Sequence, residues 1–143
     1  MSTVLGAGAL AFALINPAGL YDPAPNGYSH VAVVKPGARL AFIAGQGGEN
    51  QQGELPVDFR AQVRQAFDNL RVALEAAGAG PRDVVKLTVL IVDHSEDKLH
   101  IFGAELARAF GPGMKPTCTL IPVPRLALDG MLFEVEAVAV LPG

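Results

Sequence analysis

Residues 58–92 read DFRAQVRQAFDNLRVALEAAGAGPRDVVKLTVLIV, and the fold turns on this stretch. Asp58 has the side chain of a helix N-cap, and Phe59, Val63, Phe67, Leu70, Leu74 and Ala77 then recur at helical spacing until Gly78 supplies a stop. The spacing predicts an amphipathic helix of about five turns. Pro81 and Asp83 lead into Val84 to Val92, a β-branched run punctuated by Lys86 and Thr88 that reads as a central strand.

Beyond that strand, Ser95, Glu96 and Asp97 form a capped first turn, and Leu99, Phe102, Leu106 and Phe110 share one face until Gly111 and Pro112 end a second helix. Thr117 to Val123 and Leu132 to Val140 read as two more strands, joined across Pro124 to Gly130. Before the first helix, His30 to Val34 and Leu40 to Ala44 flank the turn residues Lys35, Pro36 and Gly37, which predicts a hairpin. Gly45 to Gly53 is a glycine-rich loop without the spacing or the Lys-Ser/Thr ending of a phosphate-binding loop. The Pro-, Gly- and Asn-rich text from Asn16 to Asn26 reads as an ordered loop leading into a sheet.

Two helices can cover only one face of such a sheet, so the expected class is α+β with a mixed sheet and a bare face that needs a partner. Half of the residues are apolar and mean hydropathy is +0.34, more apolar material than one core of this size readily hides, which points to a homo-oligomer. Val4 to Ile15 is an uncharged run, too short for a bilayer span of about 20 residues and without a preceding Lys or Arg. Residues 1–15 are therefore expected to form an apolar arm or strand, and 16–143 one domain.

Eleven Lys plus Arg against fourteen Asp plus Glu give a net charge of -3, with no basic stripe to neutralise phosphates, so neither nucleic acid nor membrane is expected as a partner. The single cysteine, Cys118, excludes an intrachain disulfide, and His30, His94 and His100 are dispersed, so no structural metal site is expected. A reducing compartment follows, and the expected location is the cytoplasm.

An ordered set of segments carries a resemblance: Asn16 to Leu20 (NPAGL), Tyr28-Ser29-His30, Gly45-Gln46, Gln65 to Asn69 (QAFDN), Leu74 to Gly78 (LEAAG), Asp83 to Lys86 (DVVK), Lys115-Pro116 and Phe133 to Ala137 (FEVEA). From about Asn16 to Val140 the chain resembles the Rid family, the reactive intermediate deaminases also called YjgF or L-PSP proteins. The resemblance implies a chorismate-mutase-like unit, assembled as a homotrimer around a central β-barrel, with small-metabolite clefts between subunits. It further implies hydrolysis of 2-imino or enamine acids to 2-keto acids and ammonia, without any cofactor.

Residue by residue, the family's cleft tyrosine falls on Tyr28, its Ser-Gly-Gln loop on Ala44, Gly45 and Gln46, and its water-holding glutamate on Glu134. The arginine that grips the substrate carboxylate falls on Cys118, the nearby family cysteine on Leu120, and an asparagine of the second helix on Gly103. An arginine fork binds a carboxylate through two charge-assisted bonds, and a thiol cannot replace it. Losing such a bond weakens anionic substrates by about 10- to 150-fold. The nearest other cation in sequence is Arg125, read as structural or surface-exposed.

Without a positive neighbour, a Glu134 that stays partly desolvated is expected to titrate upward. Periodicity alone offers a plainer reading, in which Glu134 and Glu136 are the polar face of a strand whose other face, Phe133, Val135 and Ala137, is core. Cys118 is expected to be an inert small hydrophobe rather than a nucleophile. Two functions remain open: a metabolite-binding homotrimer with weak or absent deaminase activity, and an imine or enamine hydrolase of altered specificity using Glu134 and a bound water. RNA cleavage is opposed by the charge, and a holdase role would need an apolar surface such as Val4 to Ile15.

Overall fold

Asp58 caps the first helix as its side chain suggests: its carboxylate accepts from the Ala61 N–H at 3.0 Å, an arrangement that stabilises a helix by about 1 kcal/mol. In the computed structural model, which describes residues 11–143 in full and the backbone of Ser2–Leu5, that helix is α1 (Phe59–Ala76). Gly78, at φ +81°, ends it in a left-handed conformation that glycine adopts without steric cost. Ser95 caps α2 (Glu96–Phe110) by accepting from the Lys98 N–H at 3.2 Å.

The strands are β1 (Ser2–Leu5), β2 (Phe12–Asn16), β3 (Val31–Val34), β4 (Leu40–Gln46), β5 (Val84–Val92), β6 (Thr117–Val123) and β7 (Phe133–Val140). They form two sheets. One is antiparallel with order β1-β2-β3; the other is mixed with order β4-β7-β5-β6, in which only β5 and β6 run parallel. Among the described residues the fold is α+β, with two α-helices and a mixed sheet.

The predicted hairpin between residues 30–34 and 40–44 does not form. The turn is present, closed by the Ala38 N–H on the Lys35 carbonyl at 3.3 Å, but β3 pairs with β2 while β4 pairs with β7. The reason is burial. Ala41 and Ile43 of β4 join the face of β7 that carries Phe133, Val135, Ala137 and Ala139 against the helices. In β2, Phe12 and Leu14 bury instead with Val85 and Val140 in a second, smaller core. A turn signal specifies a reversal of the chain, not which strand receives it.

The main core lies between the helices and one face of the mixed sheet, and is built on Phe59, Phe67, Phe102 and Phe133, with Phe102 and Phe133 ring centroids 5.9 Å apart. Gln62 of α1 is fully buried yet satisfied. Its Nε2 donates to the carbonyls of Pro56 and Gly130, at 2.7 and 2.9 Å, and its Oε1 accepts from the Leu132 N–H at 2.9 Å. These bonds anchor the entrance to β7, and so place Glu134. On the face away from the helices, Leu40, Phe42 and Ile121 are exposed, Phe42 at 75%. Among the described residues no helix is long and apolar enough to cross a membrane.

Candidate functional site

The first group of candidate residues is assembled where the segment before β3 is stitched to the start of β6. Ser29, buried, donates its N–H to the Pro116 carbonyl at 3.1 Å and forms a parallel bridge with Thr117, while the His30 N–H donates to Asn16 Oδ1 at 2.9 Å. That stitching sets Tyr28 beside Cys118. Tyr28, Cys118 and Leu120 line a cavity of about 400 Å³, closed by Tyr21 and by Leu99, Phe102 and Leu106 of α2.

The hydroxyls of Tyr21 and Tyr28 are hydrogen-bonded to each other, and both rings stand edge-on to His30, at 5.3 and 5.4 Å. That bond to Tyr21, with burial second, pushes the Tyr28 hydroxyl up to about 12, so it stays neutral. Burial pushes the Cys118 thiol up to about 11, with Lys86 pulling weakly the other way. Lys86 is itself engaged, donating from Nζ to Thr119 Oγ1 at 3.0 Å. The thiol therefore behaves as the inert hydrophobe expected from its neighbours.

Ala44, Gly45, Gln46 and Glu134 form the second group, at the end of β4, where the pairing with β7 shifts register between Ile43 and Gln46. Gly45 is needed for close approach: a Cβ there would stand 2.7 Å from Glu134 Cδ. Gln46 folds back on its own strand, its Nε2 donating to the Ala44 carbonyl at 3.0 Å. Burial raises the Glu134 carboxyl above its ordinary range, and repulsion from Glu49 and then Glu136 adds to this. Asn69 of α1 holds the loop that carries Glu49, donating from Nδ2 to the carbonyls of Gly47 and Glu49 at 3.0 and 2.8 Å.

One chain does not bring the two groups together. Cys118 and Leu120 pack on the helix-side core, whereas Glu134 alternates with Phe133 and Val135, which belong to that core, and so projects from the opposite face. Cys118 pairs with Leu87, whose partner on β7 is Ala137, three residues from Glu134. Strand spacing then separates the two Cα atoms by about 14 Å. Among the described residues Glu134 takes part in no ion pair, and Arg125 is engaged with Asp129 at 2.9 Å. Also among those residues, no group of three or more His, Cys, Asp and Glu is placed to hold a metal ion.

Sequence reasoning overlooked two residues that the folded chain places against the candidates. Tyr21 lies in an irregular loop with no periodicity to mark it, and Glu49 in a polar glycine-rich loop that reads as solvent-facing. Gly45, which the resemblance places in the family's Ser-Gly-Gln loop, is approached by Glu134 itself.

The profile of the family described as Endoribonuclease L-PSP matches residues 21–141. The chain is 34% identical over 103 residues to the RutC family protein YjgH of Escherichia coli, covering 72% of this chain and 76% of that protein. It is 36% identical over 93 residues to the 2-iminobutanoate/2-iminopropanoate deaminase of the same organism, covering 62% and 68%. Among solved structures, the Rid family protein YyfB of Yersinia pestis superposes with a TM-score of 0.87 at 37% identity, over 92% of this chain and 99% of that one.

Proposed function

Because the chain belongs to the Endoribonuclease L-PSP family, also called the Rid or YjgF family, we propose that it is a homotrimer binding a small metabolite in clefts between subunits, with weak or absent deamination of 2-imino acids. One observation carries this reading: Tyr28, Cys118 and Leu120 lie on the helix side of the sheet, and Glu134, packed against Gly45, projects from the other. A complete cleft then requires the first face of one copy to meet the second face of another. The exposed Leu40, Phe42 and Ile121 give the bare face an apolar surface for such contact.

The weakness in deamination follows from Cys118. A 2-imino acid carries a carboxylate, and the cavity offers it a neutral thiol, a leucine and two tyrosine side chains in place of a guanidinium. Glu134 still supports the second reading, hydrolysis of a less charged imine or enamine. Water adds to the C=N carbon with Glu134 passing its proton to the nitrogen, and the carbinolamine hydroxyl then gives up its proton to the same nitrogen, again through Glu134, as the C–N bond breaks, leaving a carbonyl compound and ammonia.

The test is ammonia release from freshly generated 2-aminoacrylate beside the E. coli 2-iminobutanoate/2-iminopropanoate deaminase, together with the mass of the assembled protein. A trimer with activity lower by at least tenfold is expected. Comparable activity overturns the first reading in favour of an ordinary deaminase, and a monomer overturns the shared cleft.

A further inference from the structure

Two gaps in the backbone near β4 are filled by carboxyl groups. Glu134 occupies the space that a side chain on Gly45 would need. Two residues on, a Cβ on Gly47 would stand 2.7 Å from Met131 Cε and 2.8 and 3.0 Å from the two carboxyl oxygens of Glu49. The loop cannot drift from this arrangement, because Asn69 holds the carbonyls of Gly47 and Glu49, and Gly48 is pressed on α1, where a Cβ would lie 2.7 Å from Gln62 Cα. The groups around Glu134 are Gly45 on β4, the neutral Leu90 opposite on β5, Glu136 on its own strand and Glu49 from the loop, and no ion pair to Glu134 exists among the described residues.

We propose that Glu49 is a positioning residue for Glu134: the two carboxyl groups fill neighbouring gaps at Gly45 and Gly47, and Glu134, in its acid form, is the member of the pair that delivers a proton to a ligand nitrogen. The inference rests on reading Glu134 as the acid of the cleft, and it gives that acid a task the missing arginine leaves open. A substrate without a carboxylate gains little from an anchoring cation, but its imine must still be made electrophilic. A protonated Glu134 donates its proton to the imine nitrogen and becomes a carboxylate. Water then bonds to the iminium carbon and returns a proton to Glu134, and a second donation to nitrogen accompanies cleavage of the C–N bond while the carbinolamine hydroxyl gives its proton back to Glu134, releasing ammonia and a carbonyl and restoring the acid. Both carboxylates also favour the cationic iminium over an anionic ligand.

The test is an NMR titration of the full chain carrying carboxyl-labelled glutamate, with Glu134 assigned from Glu134→Gln. In Glu49→Gln the Glu134 midpoint is expected to fall toward the ordinary carboxylate range, as removal of a like charge requires. Glu136→Gln, which removes the weaker repulsion, is expected to move it less. An unchanged midpoint in Glu49→Gln, or a larger fall in Glu136→Gln, overturns the proposal. Mass measurement on the same samples keeps the two readings apart: a monomer with the expected shift removes the shared cleft and leaves the pair, and a trimer without it removes only the pair.

Discussion

Glu134 lies where Gly45 would carry its side chain, so a methyl group at that position and the carboxyl of Glu134 cannot both keep their places. The obstructing atoms are the far end of a flexible side chain. Gly45→Ala is therefore expected to fold with Tm within about 3 °C of the parent, while expelling Glu134 toward solvent and lowering its titration midpoint. Gly48 contrasts with it, since a Cβ there meets the backbone of Gln62. Gly48→Ala is expected to cost about 1–3 kcal/mol, as overpacking does. Thermal melts of both variants check the pair; equal losses would remove the distinction.

Cys118→Arg is expected to raise affinity for carboxylate-bearing ligands by about 10- to 150-fold, the value of one guanidinium–carboxylate bond. Ammonia release from 2-aminoacrylate should rise with it in a trimer. A folded, trimeric variant with no gain would mean that residue 118 does not face the ligand. In the parent protein, burial that pushes the thiol up to about 11 leaves little thiolate at neutral pH. Iodoacetamide labelling at pH 7.5 should then run at least ~100-fold slower than in urea.

Glu134 and Glu105 are expected to affect stability in opposite directions. Burial, then repulsion, raises Glu134 in the folded chain, so its contribution is present below the unfolded pKa and is lost as pH rises through the folded one. Glu134→Gln should raise Tm at pH 7, with the gain vanishing as the pH falls to the ordinary glutamate pKa of ~4. Glu105, 4% exposed, is lowered first by its bond to Arg64 and is also paired with Arg60, at 2.9 and 3.0 Å. Its contribution is present above the unfolded pKa and is lost as pH falls through the folded one. Glu105→Gln should lower stability by about 1–2 kcal/mol at pH 7, less than for a fully buried pair because the arginines are half-exposed, and the loss should shrink below pH 4. Melts across pH 3.5–8 read both.

Gly103 sits inside α2 with no positive φ and nothing within 4 Å of a Cβ built there. Packing does not require it. Gly103→Ala is expected to stabilise by about 0.5–1 kcal/mol, the ordinary helix-interior difference. Denaturant unfolding measures this, and a destabilised variant would mean that the space is occupied in the assembled protein.

The amino-acid sequence by itself determined the elements and their faces. The recurrence of Phe59, Val63, Phe67, Leu70 and Leu74 made α1, the caps Asp58 and Ser95 set where both helices begin, and the alternation of Phe133, Val135 and Ala137 with Glu134 and Glu136 assigned each side of β7. These are local properties, fixed by side-chain period and by single hydrogen bonds to nearby backbone. Tertiary structure alone decided the partners. It sent β4 to β7 instead of β3, brought Tyr21 against Tyr28 and Glu49 beside Glu134, and put Cys118 and Glu134 on opposite faces. Such relationships depend on which apolar faces bury together and on close approaches between residues far apart in the chain, and neither leaves a period in the sequence.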